Sequence, residues 1–365
     1  MSKFTNRLQQ LPKNVMVNFR FIRYLSVFTL PLSVFLSFSG NGLMTFFPVF
    51  FFFIVVPILE LFFKPVKANL EGEKKDQIKN ALIYDVLLYI ILPIQFGFLW
   101  FFLGSIKREG LTWIEIAGMT TSMGMMCGVF GINIGHELGH RVNRYEKLVG
   151  ELLLLSSLNT HFLPYHNLGH HKNVATPSDS ATARKGEVVF LFWIRSNFTS
   201  YVQAWQIETK RLNKKGLPFI SIHNRMLVYL IAQIGLIALI YFQFGFVGMV
   251  AFLGAAVFGV LLLETVNYIE HYGLLRKMND KGVYERVKPW HSWNSDHIIG
   301  RVLLFELSRH SDHHYLASKK YQILDSYEES PQMPTGYPGM MMLALFPPLW
   351  FKIMNSKVDS IRKDH

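Results

Sequence analysis

Cysteine is almost absent from this sequence of 365 residues: Cys127 stands alone. A single thiol excludes an intrachain disulfide and every thiolate-cluster metal site, so a metal held here must be held by nitrogen or oxygen. Charge is also scarce. Only 17% of the residues are charged while 50% are hydrophobic, and mean hydropathy is positive, a balance that speaks against soluble domains and for a membrane protein. Internal repeats and low-complexity tails are missing, which sets aside solenoids and disordered linkers.

The charge that is present is lopsided, with 37 Lys and Arg against 25 Asp and Glu and a net charge of +12. The basic residues lie in loops beside apolar runs rather than in one stripe. Anionic lipid headgroups or an acidic partner protein account for such a pattern, and no nucleic-acid partner is expected.

The apolar residues gather into long runs with few charges, as a bilayer requires. Six membrane spans are expected, at about residues 24–39, 43–63, 81–103, 114–135, 226–242 and 244–268. Lys3, Arg7, Lys13, Arg20 and Arg23 precede the first with no acid and no small-residue cleavage site, so it reads as an uncleaved signal anchor. Gly40-Asn41-Gly42 closes a tight hairpin of the first two spans, and the turn 243–245 joins the last two. Leu148 to Ser157 is too short to cross and reads as a buried or re-entrant helix. The fold class that follows is all-α: one six-transmembrane-helix integral membrane domain, capped by a histidine-rich helical region at 136–225 and 269–365. The basic stretches fall at the N-terminus and after the second, fourth and sixth spans, so both termini and the cap are expected on the cytoplasmic side.

Histidine is the informative residue. Four of the fourteen histidines crowd into Thr160–Lys172. On an α-helix His166 and His170 would share a face about 40° apart, with His171 swung roughly 100° further round, an arrangement better suited to two metal ions than one. Partners lie elsewhere: His136-Glu137-Leu138-Gly139-His140, and His310-Ser311-Asp312-His313-His314, whose spacing would stack three imidazoles on one helical face. The first of these fits the H-E-x-x-H pattern of zinc peptidases, where the glutamate activates water, but a peptidase site would leave the remaining clustered histidines without a role. His271 is the ninth candidate, since Glu264, Asn267 and His271 would turn one polar stripe inward from an apolar span. His161, His223, His291, His297 and His365 have no mate at ligand spacing. Imidazole-only coordination suits zinc, copper, nickel or iron. Neutral imidazoles need nearby carboxylates against their outer nitrogens, and Glu137, Glu270, Asp312, Glu264 and Asp179 are the candidates.

Taken together these boxes resemble the membrane-bound alkane 1-monooxygenases of the integral-membrane di-iron hydroxylase and desaturase superfamily. The shared pattern is His-Glu-Leu-Gly-His at 136–140, His-Asn-Leu-Gly-His-His at 166–171 and Arg-His-Ser-Asp-His-His at 309–314. The stretches 267–276, 174–177, 291–294 and 334–339 resemble the alkane hydroxylase subgroup in particular, and the likeness covers roughly residues 80–355. Tyr165 departs from it, standing where the family commonly has a glutamate. The resemblance implies that His136, His140, His166, His170, His171, His271, His310, His313 and His314 hold two non-haem irons, with Glu270, Asp312 and Glu137 as catalytic carboxylates. It further implies O₂ as co-substrate and terminal hydroxylation of a medium-chain n-alkane. The electrons would come from NADH through rubredoxin reductase and rubredoxin, at a bacterial inner membrane. Phe52, near the middle of the second span, is expected to limit chain length, and Arg276, Lys277, Lys210 and Lys214 to steer an acidic electron donor. A fatty acyl desaturase, a xylene-type hydroxylase and an intramembrane zinc protease remain alternatives at this point.

Overall fold

Long apolar segments in lipid must satisfy their backbone N–H and C=O groups internally, and helices do so within one segment. The computed structural model describes residues 20–364, and it is helical throughout, with no strand among the described residues beyond two isolated bridges. Lys3, Arg7, Lys13 and His365 lie outside the described residues.

In chain order the helices are α1 (Arg20–Ser39), α2 (Gly42–Glu60) and α3 (Gly72–Ile106), α4 (residues 113–139) and α5 (Arg144–Leu155), and α6 (residues 162–173) and α7 (Val189–Lys214). The long α8 (Arg225–His271) follows, then α9 (Ile298–Leu303), α10 (His310–Tyr315), α11 (Tyr337–Ala344) and α12 (Pro347–Asp364).

Four helices, α1, α2, α3 and α8, are long and apolar enough to cross a membrane. The expected fifth and sixth spans are the two arms of α8, which meet at Gly245 (φ 73°, ψ −174°), inside the turn anticipated at 243–245. Only glycine enters that region of backbone space without strain. The expected fourth span is helical too, but its Met-, Gly- and Thr-rich sequence is largely buried, packed between α1, α2, α3 and α8. The charged segment expected as a loop before the third span is partly helical, Gly72–Asn80 forming the polar start of α3.

Local chemistry sets the helix starts. Thr112 and Glu115 form a capping box at the head of α4, and the second Glu115 oxygen accepts from the Gly42 N–H at 2.7 Å, pinning α4 to the α1–α2 turn. Asn224 caps α8 by accepting from the Met226 and Leu227 N–H groups. Gly135 and Gly150 allow α4 and α5 to touch: a Cβ on Gly150 would stand 2.9 Å from the Gly135 carbonyl oxygen.

The segment that carries α10 is tied down by a buried ionic network. Arg309, 2% exposed, lies 3.3 Å from Asp296 and donates to the carbonyls of Ala68 and Leu324. Arg301 pairs with Glu306 at 2.9 Å, and Arg23 of α1 closes on the same carboxylate. The network holds Phe305 (φ 52°) and Glu306 (φ 61°) in the left-handed region just ahead of His310. Removing one partner leaves the others buried and uncompensated. Arg309→Met is expected to destabilise the protein by about 3–5 kcal/mol, read as a lower Tm in detergent; an unchanged Tm would show that the network contributes nothing.

Candidate metal centre

Nine histidines from α4 and the residue that ends it, and from α6, α8 and α10, converge in two adjoining groups. His136, His140, His166, His171 and His313 form one, and His170, His271, His310 and His314 the other, with one ring nitrogen of each residue within 4.8 Å of the others in its group. Across the boundary the ring centroids of His171 and His314 stand 4.6 Å apart, and those of His166 and His170 5.1 Å. These are the nine residues singled out by spacing. None of the other described histidines belongs to either group: His161 packs on Tyr201 and His297 meets Ser295, while His291 accepts from the Lys288 N–H.

The allocation differs from α-helical expectation, and the backbone explains it. Residues 166–170 form a π-helical turn in which the His171 N–H donates to the His166 carbonyl, five residues back. His171 therefore comes over His166, their Nε2 atoms 3.0 Å apart, while His170 turns to the other group and meets His314 at 3.2 Å. In α10 the three imidazoles expected on one face are shared out, His313 facing His136 at 3.0 Å and His310 facing His271 at 3.0 Å. Cys127–Ile134 of α4, which leads into His136, is π-helical as well.

Ring nitrogens facing one another in pairs, in a buried pocket, are poorly satisfied unless something positive lies among them. His140 Nε2 is buried with no hydrogen-bond partner among the described residues. Burial, together with the neighbouring histidines, pushes the imidazoles of His166, His171, His310 and His314 well below their ordinary pKa and that of His313 down to about 3. Their lone pairs are consequently available to a cation at neutral pH. The donor set fits one metal ion per group, held by nitrogen alone.

Of the five carboxylates expected around the histidines, Asp179 takes the outer position. It accepts from His170 Nδ1 at 3.0 Å, which leaves the His170 lone pair on Nε2, pointing inward. Thr182 (2.7 Å) and Tyr165 (2.8 Å) donate to the same carboxylate. Burial alone would raise the Asp179 pKa, but His170 and Thr182 hold it at about 2. Tyr165, the departure from the resembled pattern, thus reaches the metal centre through Asp179, a contact that spacing did not reveal. Glu270 Oε2 lies 3.2 Å from His310 Nε2, and its other oxygen accepts from Tyr337 at 2.7 Å. Glu137 and Asp312 point elsewhere. Glu137 pairs with Arg141 at 2.9 Å, and Asp312 accepts from Tyr327 at 2.8 Å and from the Asp325 N–H at 2.7 Å. Glu264 is buried on α8 beside Asn267.

A cavity opens from the histidines into the bundle. Its walls are almost wholly hydrocarbon, from Phe52, Met125, Val129, Leu262 and Leu303 among others, and its polar edge is Asn133, His136, His166, Asn267, Glu270 and His310. The family model described as fatty acid desaturase matches residues 111–344, a range that contains every one of the nine histidines. The chain is 38% identical over 315 residues to alkane 1-monooxygenase 2 of Alcanivorax borkumensis, covering 85% of this chain and 81% of the relative. It is 39% identical over 308 residues to alkane 1-monooxygenase 1 of Pseudomonas aeruginosa, covering 84% and 81%. The chain belongs to the alkane 1-monooxygenase family. Similarity to the xylene/toluene monooxygenase hydroxylase component of Pseudomonas putida is weaker, 27% over 283 residues, covering 74% and 72%. Membership of a monooxygenase family agrees with a buried histidine pocket suited to metal that opens onto hydrocarbon, and with membrane-type helices.

Single substitutions test the two groups separately. His313→Ala and His271→Ala are each expected to lower bound metal and to abolish turnover, measured by elemental analysis and product formation. Full metal content in either variant would remove that residue from the ligand set. Asp179→Asn leaves all nine imidazoles in place but loosens the hold on the His170 tautomer, and a metal affinity lower by about 10–100-fold is expected from competition with a chelator; unaltered affinity would show that Asp179 serves only local packing.

Proposed function

We propose that the protein inserts one oxygen atom of O₂ into the terminal C–H bond of a medium-chain n-alkane, with two non-haem irons held by His136, His140, His166, His171 and His313, and by His170, His271, His310 and His314. The observation that carries this reading is the meeting of the histidine groups with a hydrocarbon-walled cavity. Iron is favoured among the imidazole-binding metals by the family and by the redox chemistry that a monooxygenase needs. When bound, the iron pair would supply the activation of O₂ and the oxidising power for the C–H bond.

The chain's own residues do the rest. An alkane offers no hydrogen-bonding handle, so the cavity must select it by shape and by excluding water. His136, His166 and His310 border the cavity on its polar side, and the end of the substrate reaches the chemistry there. Glu270 is the carboxylate in the cavity wall, placed to hold or release a proton at Oε2, beside His310. Glu137 and Asp312 are instead positioning residues, bracing His136 and α10 through Arg141 and Tyr327. The arrangement also counts against a zinc peptidase, because the H-E-x-x-H glutamate is engaged by Arg141 rather than directed at a site between His136 and His140. Phe52 lines the cavity, which supports a role in limiting chain length.

Rubredoxin, reduced by an NADH-dependent reductase, is proposed as the electron donor, docking at the basic surface around Arg276 and Lys277. Arg276 donates to the Lys172 carbonyl at 2.7 Å, one residue beyond His171, so a donor bound there lies near the metal centre. The proposed setting is a bacterial inner membrane crossed six times, with the two arms of α8 and helix α4 completing the count and the cap and termini cytoplasmic.

Octane, ¹⁸O₂, NADH and a rubredoxin system should yield 1-octanol carrying the label. NADH oxidation should depend on octane, and Phe52→Ala should shift the preferred chain length upward. Hydrolysis of a peptide, or oxygen label appearing only in water, would contradict the assignment.

A further inference from the structure

Six polar side chains stand at the edge of the hydrocarbon-walled cavity, and four of them are already engaged. His136, His166 and His310 face other histidines, and Glu270 is held by Tyr337 and His310. The remaining two are Asn133 and Asn267, 9% and 8% exposed. Asn133 Nδ2 donates to the Leu304 carbonyl at 3.0 Å and Asn267 Nδ2 to Glu264 at 3.4 Å, whereas no group among the described residues donates to the side-chain oxygen of either. From that placement, and resting on the alkane hydroxylase reading above, we infer that Asn133 and Asn267 form a seat for the hydroxyl group of the 1-alkanol product. The cavity therefore holds the alcohol more tightly than the alkane from which it is made.

Two features support the assignment. The first is position. Asn133 lies three residues before His136 on α4, and Asn267 four residues before His271 on α8. Each is thus about one helical turn from a histidine, one in each of the two groups, on the side where the cavity opens. A hydroxyl made beside the histidines comes within reach of a carboxamide when the chain slides back by about that turn. The second is chemistry. An amide oxygen in apolar surroundings costs free energy unless something donates to it. An n-alkane has no donor, so the substrate leaves both oxygens unsatisfied. The product carries one O–H on its terminal carbon, and that O–H donates to Asn133 or Asn267. A carboxamide serves this purpose better than a carboxylate, because it accepts a hydrogen bond without adding charge to a hydrocarbon-walled space.

Water is the competing occupant, and the test separates the two. The protein, metallated and reconstituted in lipid nanodiscs, is irradiated with a 1-octanol analogue bearing a diazirine at its third carbon, and adducts are mapped by peptide mass spectrometry. Adducts on Val129 or Leu263, one turn beyond the asparagines, are expected. 1-Octanol should suppress them at about a tenfold lower concentration in the lipid phase than octane does, the preference that one buried hydrogen bond supplies. This arm needs no turnover, so it stands apart from the hydroxylase reading. Equal suppression by octane, or a cavity without adducts, would overturn the proposal and leave the asparagines to water. In turnover assays 1-octanol is expected to compete with octane. Asn267→Leu and Asn133→Leu should each raise the ratio of the 1-octanol inhibition constant to the octane KM by about tenfold, with metal content unaltered. An unchanged ratio in both metallated variants would also overturn it. Should either variant fail to fold, the competition between octanol and octane in the unaltered protein decides.

Discussion

Nine neutral imidazoles with their lone pairs turned toward one another are tolerable in a buried pocket only around positive charge, and much of the surrounding structure serves to hold them there. The histidines come from four helices that are distant in sequence, so no local interaction assembles the site. Close α4–α5 packing at Gly135 and Gly150 sets His136 and His140. The end of α8 delivers His271, and the Arg301–Glu306–Arg309–Asp296 network fixes the strained turn ahead of His310. Each of these contacts governs the position of a ring.

π-Helical geometry links the site to the cavity. It occurs at Phe51–Val55, Cys127–Ile134 and His166–His170, and all three segments lie against the catalytic cavity or the histidines. A π turn inserts a residue into the helix and re-aims the side chains around it. At residues 166–171 it divides consecutive histidines between the two groups, which an α-helical turn does not do in the same way. The result is a paired nitrogen-lined site at one end of a hydrocarbon-walled space, the juxtaposition that oxidation of an inert C–H bond requires.

Much of this was legible in the sequence, because ligand spacing is a local property. All nine histidines stood out, and so did the membrane character and the break in α8 at Gly245. The division into groups of five and four was not legible, since it depends on a π turn that no residue pattern announced. Adjacency also misled for the carboxylates. A helical neighbour is rotated about 100° from the residue beside it, so Glu137 and Asp312, next to or near ligands in sequence, point away from the site toward Arg141 and Tyr327. Asp179 was one candidate among five, and its selection rests on a fold-dependent contact with His170. The role of Tyr165 was hidden for the same reason. Glu270, by contrast, sits one position before His271 and still lines the cavity.

The most direct test is X-ray absorption at the iron edge on protein purified under conditions that retain metal, together with the iron count per chain. The account predicts close to two irons per chain, each held by imidazole nitrogen, with no sulfur. A single ion per chain, or zinc in a closed four-coordinate site, would contradict it.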